Sequence, residues 1–309
     1  MRHTTRTVTA IAAAGVLAGG AAFGMSATAS ATPTSAPKAA PVQAAPALTA
    51  TQGSSSQSRF PGAAVGLSES GTKLSVFSVH VPALARSLGT ISGLSGDSRL
   101  VGLDWRVQDR KVYGVGNAGG VYVLDTSNAK ATKVSQLTIA LSGKDFGVDF
   151  NPAADRLRVI SDTGQNLRHN VNAGGVTLED KTLAYTPGTA ATGVTAAGYT
   201  NNDLEATTGT TLIDLDTKLD QGALQVPAND GTLSLTGSLG MDVSPVAGFD
   251  ILSTVREGAT TSNTGYATLR KEGSSKAALY RVDLLTGDTH RVGSFTKIDV
   301  ADLTVLPPR

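Results

Sequence analysis

The segment "GLDWRVQDRKVYGVGNAGGVYVLD", Gly102 to Asp125, aligns without a gap on "GVDFNPAADRLRVISDTGQNLRHN", Gly147 to Asn170, at an offset of 45 residues. Gly102 falls on Gly147, Asp104 on Asp149, Trp105 on Phe150, Gly119 on Gly164 and Asp125 on Asn170. A period in this range marks a chain built from stacked copies of one small unit, because a single copy cannot bury its own apolar face. The folds open to the chain are thereby reduced to repeat architectures.

Within each copy the sequence runs as short alternating segments, such as "KVYGVG", "GVYVLD" and "RLRVIS", each ended by Gly, Asn or Asp. That pattern predicts antiparallel strands joined by tight turns, and no stretch carries an amphipathic helical period. A third copy opens at Ala196 with "AAGYTNND", and its "TLIDLD", Thr211 to Asp216, matches "VYVLD" as a third strand. A fourth opens at Val246 with "VAGFDIL". From Gly102 through Gly147 and Gly198 to Gly248 the steps are 45, 51 and 50 residues, long enough for four strands each. The N-terminal "AAVGLSESGTKLSVFSVHVPALARSLGTI" supplies strands two to four of a further unit, and "VADLTVL", Val300 to Leu306, supplies its missing first strand. A unit made from both ends closes a ring and leaves no exposed sheet edge. The expected fold is all-β, a β-propeller of five four-stranded blades with one composite blade; splitting the long third or fourth copy would raise the number to six.

Ahead of the repeats, Arg2 and Arg6 precede the uncharged run Val8 to Phe23, and "SATASA" places small residues for cleavage after Ala31. Residues 1–31 thus read as a secretory signal peptide, too short and too rich in Gly and Ala for a spanning helix. Residues 32–59, rich in Ala, Pro, Ser and Thr, read as a disordered tether, and residues 60–309 as the propeller domain. The expected location is secreted and extracellular, with no transmembrane segment in the mature chain.

Four stretches, "LVGLDWR", "FGVDFNPAADRLRVISDTGQNLRHN", "VTAAGYTNND" and "VPANDGTLSLTGSLG", resemble the bacterial exported family catalogued as domain of unknown function 4394. The resemblance runs from about Val65 to Leu306 and is most specific in "DRLRVISDTGQNLR". It implies a propeller-like repeat fold and no known activity, substrate or catalytic residue.

The chain has no cysteine, which excludes thiol chemistry and leaves an exported fold to be held by its core alone. A net charge of +1, without a dense basic run, argues against nucleic acid as a partner. His3, His80, His169 and His290 have no metal-ligand spacing, and neither a nucleophile elbow nor a P-loop lysine is present. "DLDTKLDQG", Asp214 to Gly222, lacks the central glycine and closing glutamate of a calcium loop, and Asp214 and Asp216 read instead as the end of a third strand. No metal and no cofactor are expected.

Two constellations remain. Asp104, Asp149, Asp250 and Asp302 recur at one position of the innermost strand. They are expected to be structural, bonded to backbone N–H groups; a facing pair about 5 to 9 Å apart would instead suit glycoside hydrolysis. The second is a polar group on one blade, Arg156, Arg158, Asp162, Gln165, Asn166 and Arg168, in which Arg158 stands where the sister copy has Tyr113 and Arg168 where it has Val123. Such guanidinium forks fit a carboxylate, phosphate or sugar, or else pair with an acid such as Asp155 or Asp162. The functional expectation is a monomeric binding or scaffolding module for an extracellular small molecule, glycan or protein, catalysis being the lesser expectation; the alternative is a hydrolase or lyase using the inner-strand carboxylates. The excess length of the fourth copy, around "STVREGATTSNTG", is expected in a surface loop.

Overall fold

The gapless alignment has a backbone counterpart. Arg110 and Asp155, 45 residues apart, both take positive φ, 59° and 50°, in the turns that follow the first strand of their copies. The left-handed conformation is uncommon for residues with a Cβ, so its recurrence at matched positions marks one turn built twice.

The computed structural model describes residues 62–308. The expected signal peptide and tether lie outside the described residues. The first strands along the chain are β1 (Ala63–Leu67), β2 (Lys73–Ser78) and β3 (Val81–Thr90). The next sheet holds β4 (Leu100–Arg106), β5 (Lys111–Gly116), β6 (Gly120–Asp125) and β7 (Lys130–Gln136). The third holds β8 (Phe146–Asn151), β9 (Arg156–Ser161), β10 (Asn166–His169) and β11 (Thr177–Glu179). The fourth holds β12 (Val194–Tyr199), β13 (Leu212–Asp216), β14 (Gln221–Gln225) and β15 (Leu233–Ser238). The fifth holds β16 (Val243–Arg256), β17 (Ala259–Lys271), β18 (Ala278–Val282) and β19 (Thr289–Ser294). The last strand, β20 (Asp302–Val305), joins the first sheet beside β1, in the order β20-β1-β2-β3, with Ala64 opposite Val305.

The protein is therefore a five-bladed β-propeller with one composite blade. Its inner strands touch in the cyclic order β20, β4, β8, β12, β16 and back to β20. Each of the five blade interfaces encloses its own apolar cluster. Leu67 and Leu74 meet Leu103 and Trp105 at the first, and Tyr113 and Val115 meet Phe150 and Leu157 at the second. Ile160 and Leu183 meet Tyr199 and Leu212 at the third. Ile213 and Leu215 meet Phe249 and Ile251 at the fourth, and Tyr266 and Phe295 meet Phe77 and Leu303 at the fifth. A core distributed in this way explains how a chain without cysteine is held together.

Two strand assignments differ from the sequence reading. "TLIDLD" forms β13, the second strand of its blade and not the third, because the segment after Tyr199 delays the return of the chain. The long fourth copy is not a loop: its extra residues extend the β16–β17 hairpin, with Glu257 and Gly258 at the tip, both at positive φ.

Candidate functional site

On an inner strand alternate side chains point toward the next blade, where they meet backbone N–H groups. Asp104 Oδ2 accepts from Phe150 N at 2.8 Å, Asp149 Oδ1 from Tyr199 N at 3.0 Å, and Asp250 Oδ2 from Val305 N. Thr304 Oγ1 accepts from Trp105 N at 3.0 Å. One side-chain position thus latches four of the five blades to the backbone of the next. This corrects the alignment of two copies. Thr304, not Asp302, fills the repeated position on β20, and Asp302, two residues earlier and partly exposed, accepts from Leu103 N at 3.0 Å. In the third copy Tyr199 N takes the place of Phe150 N, so Gly198 stands where β4, β8 and β16 carry an acid and β20 carries Thr304. A Cβ there would sit 3.1 Å from the Phe249 ring and Ile251, and Ile251 N–H turns to Oδ1 of Asp250.

The latches gather acids at the centre. Asp104, Asp149 and Asp250 are 3 %, 1 % and 2 % exposed, and a carboxylate oxygen from each lies within 4.8 Å of the others. Two unit charges at that separation repel by roughly 3 to 4 kcal/mol at an effective dielectric near 20. Burial first, then the charge of Asp250, pushes Asp104 well above the usual carboxyl range, against the N–H groups of Phe150 and Trp105 and the Thr304 hydroxyl. Asp149 is raised by burial and by Asp104 and Asp250. Asp250 is raised by burial, against three hydrogen bonds to Val305, Thr304 and Ile251. Burial lifts Asp302 to about 7. The Thr304 hydroxyl lies 3.1 Å from Asp104 Oδ1 and 2.9 Å from Asp250 Oδ2, and its single proton serves one of them at a time. Asp149 Oδ2 is buried without a hydrogen-bond partner. The spacing approaches that of a retaining glycosidase pair, but side chains this deeply enclosed leave no room for a sugar ring between them.

The polar group on the third sheet divides. Arg158 is 3 % exposed and spends its fork within the protein, at the interface with the fourth sheet. Its Nε donates to Tyr199 Oη at 3.2 Å, Nη1 to Asn166 Oδ1 and Asp180 Oδ2 at 2.7 Å each, and Nη2 to Asn229 Oδ1 at 2.8 Å. Arg168 reaches the same carboxylate, donating from Nε to Asp180 Oδ1 at 2.9 Å. The acid that pairs with Arg158 is thus Asp180, not Asp155 or Asp162. Asp155 pairs with Arg106 of the neighbouring blade at 2.6 Å, and Asp162 accepts from Lys144 N. Arg156 donates to the carbonyls of Ala154 and Asp155, while Gln165 bridges Ser142 N and Ala140 O. Arg158, Asn166 and Arg168 come together, and Arg156, Asp162 and Gln165 do not join them. Sequence reasoning gave no signal for Asp180, Asn229 or Tyr199, which arrive from other strands and loops. The same interface buries Asp214, which has no partner for either oxygen and is raised well above its ordinary range by burial, against the field of Arg158.

The composite blade offers a different surface. A cavity of about 880 Å³ opens between β2, β3 and the segment at Thr296, lined by Val76, Phe77, Val81, Leu84, Arg86 and Lys297. Leu84 is 73 % exposed and Val81 46 %.

The sequence matches the family described as domain of unknown function (DUF4394) over residues 73–304. The chain belongs to this family. No curated protein matches it. Among solved structures, a protein of unknown function from Bacteroides thetaiotaomicron is similar over 81 % of the DUF4394 chain and 65 % of its own, at 15 % identity and a TM-score of 0.48. The present chain therefore spans less than two thirds of that protein. A chain of a nidogen/laminin complex is similar over 80 % of this chain and 100 % of its own, at 10 % identity and a TM-score of 0.45. An auxiliary nutrient binding protein from Bacteroides thetaiotaomicron is similar over 79 % and 61 %, at 10 % identity and a TM-score of 0.42. Among the described residues no helix is long and apolar enough to cross a membrane.

Proposed function

We propose that this DUF4394 protein is an exported binding module whose recognition surface is the cavity on the composite blade. The observation that carries the reading is a concave apolar surface beside two cations, Arg86 and Lys297, with Leu84 presented to solvent. Its volume falls within the usual range of small-molecule sites, and apolar lining with a few polar groups is their usual chemistry. The ligand class it suits is a small molecule with an apolar body and an anionic group. Export rests on Arg2, Arg6, the uncharged run to Phe23 and the small residues before Ala31.

Thermal unfolding of the full chain against medium-chain fatty acids, aromatic carboxylates, sugar phosphates and neutral glycans tests it. A ligand of the native state raises the midpoint by mass action. The expected result is a rise with the amphiphilic acids that Leu84→Asp abolishes. That substitution lies on the surface and should move the unliganded stability by no more than about 0.5 kcal/mol. A rise that survives Leu84→Asp, or no rise with any amphiphilic acid, overturns the assignment of the cavity.

A further inference from the structure

We infer that Asp104, Asp149 and Asp250 form a calcium site at the centre of the propeller, joining β4, β8 and β16 through one ion beside the Thr304 hydroxyl of β20. Three observations meet there. The ligands are hard oxygens, and one oxygen of each carboxylate lies within 4.8 Å of the others. That upper bound is close to the spread of oxygens around one Ca²⁺, so small side-chain rotations suffice to bring all three onto one calcium-sized ion. Independently of the clustering, Asp149 is 1 % exposed and its Oδ2 has no protein partner, while its Oδ1 is already engaged by Tyr199 N on the far side of β8 from β4.

The electrostatics support the same assignment. After burial, the leading influences are the charge of Asp250 on Asp104 and the charges of Asp104, Asp250 and Asp302 on Asp149, while the leading groups that favour the charged forms are backbone N–H donors and the Thr304 hydroxyl. A buried carboxylate must be paired, protonated or bound to a metal. With one hydroxyl proton shared between Asp104 and Asp250, pairing within the protein is incomplete. Magnesium is the poorer fit, because it demands near-ideal octahedral geometry at about 2.0 to 2.1 Å, whereas oxygens spread over up to 4.8 Å suit the longer and more flexible Ca²⁺–O bonds. The site differs from the "DLDTKLDQG" segment, where Asp216 instead caps the N–H groups of Lys218 and Leu219 and accepts from Tyr185 Oη.

The test is calorimetric titration and thermal unfolding of the full chain, stripped with chelator and then given CaCl₂, with MgCl₂ and NaCl of matched ionic strength as controls. The expected result is a saturable calcium signal with a dissociation constant on the order of 10⁻⁴ to 10⁻³ M or tighter. Asp149→Asn and Asp250→Asn should each weaken calcium at least about 10-fold. Asp149→Asn keeps an oxygen for Tyr199 N and replaces only the unpartnered Oδ2, so it should not lower the midpoint in chelator, whereas Asp250→Asn also gives up an acceptor used by Ile251 N or Val305 N. Asp214→Asn, at the blade interface, should leave calcium binding unchanged. Should either central variant fail to fold, Tb³⁺ on the unmodified protein gives the second readout. Its emission, sensitised by the single tryptophan, Trp105, next to Asp104, should appear and be displaced by calcium. No calcium signal up to millimolar concentration, a signal equalled by NaCl, or a calcium shift retained by both central variants overturns the site and leaves the three carboxyls held by shared protons.

Discussion

Replacing Arg158 with alanine separates a latch from a ligand site. The guanidinium makes four hydrogen bonds, to Tyr199, Asn166, Asp180 and Asn229, within an interface where its side chain is 4 % exposed and that of Asp180 is 5 %. Truncation strands the second oxygen of Asp180 and the acceptor oxygen of buried Asn166, while exposed Asn229 can turn to water. Losing one member of a buried ion pair costs about 3 to 5 kcal/mol, and each orphaned buried acceptor on its own about 1 to 3. Arg168 remains on the other Asp180 oxygen at 2.9 Å, but its side chain is 35 % exposed, so it offsets only part of the loss. The two figures describe the same unpaired groups and are not summed; the expected loss is about 4 kcal/mol. For a domain of this size that lowers the midpoint of thermal unfolding by roughly 8 to 16 °C. Arg158→Lys keeps the charge but not the planar fork and should fall between the two. Chemical denaturation read by Trp105 fluorescence, alongside calorimetry, measures the difference. A loss below about 1 kcal/mol, with an unchanged denaturant slope, would refute the reasoning and return Arg158 to the candidates for ligand recognition.

Further outcomes follow from the same geometry. A Cβ on Gly147 would meet the backbone of Ala196 and Ala197 at 2.8 to 2.9 Å, and one on Gly102 would meet Val148 Cβ at 2.8 Å, an atom fixed to the backbone of β8 on a stiff, buried side chain. Gly147→Ala and Gly102→Ala should therefore each lose at least the 1 to 3 kcal/mol or so typical of overpacking, as read from denaturation midpoints. His169 is fully buried between Ser135 and Thr177, at 2.7 and 3.0 Å, and burial pushes it below its ordinary value, with the field of Arg156 adding to this. The unfolded chain then takes up a proton below about pH 6.5 that the native state refuses, so stability contributed by the neutral ring is lost as pH falls. His169→Gln should flatten the decline in unfolding temperature between about pH 7.5 and 5, and an unchanged slope would show that other groups carry it.

Much of this architecture was legible because a propeller writes its fold into the chain at fixed intervals. The gapless match of Gly102–Asp125 with Gly147–Asn170 carries the blade, and "VADLTVL" placed against a first unit without an opening strand carries the closure. Errors arose where a copy departs from that spacing. The delayed β13 made "TLIDLD" look like a third strand, and Gly198 kept the appearance of the repeated glycine while occupying the place of the acid. The latching position itself is readable as an acid on β4, β8 and β16, but Thr304 serves on β20 with a different residue type and is found only from its contact with Trp105 N. The surroundings of Arg158 were the least legible. Tyr199, Asp180 and Asn229 lie 41, 22 and 71 residues away, brought in by blade packing and by the segment around Asn229, and no local pattern ties them to β9.

The pairing of β1 with β20 also dictates an order of events during synthesis. Blades formed by β4 through β19 can assemble as they leave the ribosome, each on the one before, in the manner of an N-to-C folding chain. The strands β1 to β3, though made before the others, have no inner partner until Asp302–Val305 emerge. Until then β1 offers an unpaired edge to any neighbouring chain, and Asp250 lacks both Thr304 and the Val305 N–H. Strand β20 therefore fastens the ring, and a nascent chain that stalls just short of it leaves that ring open.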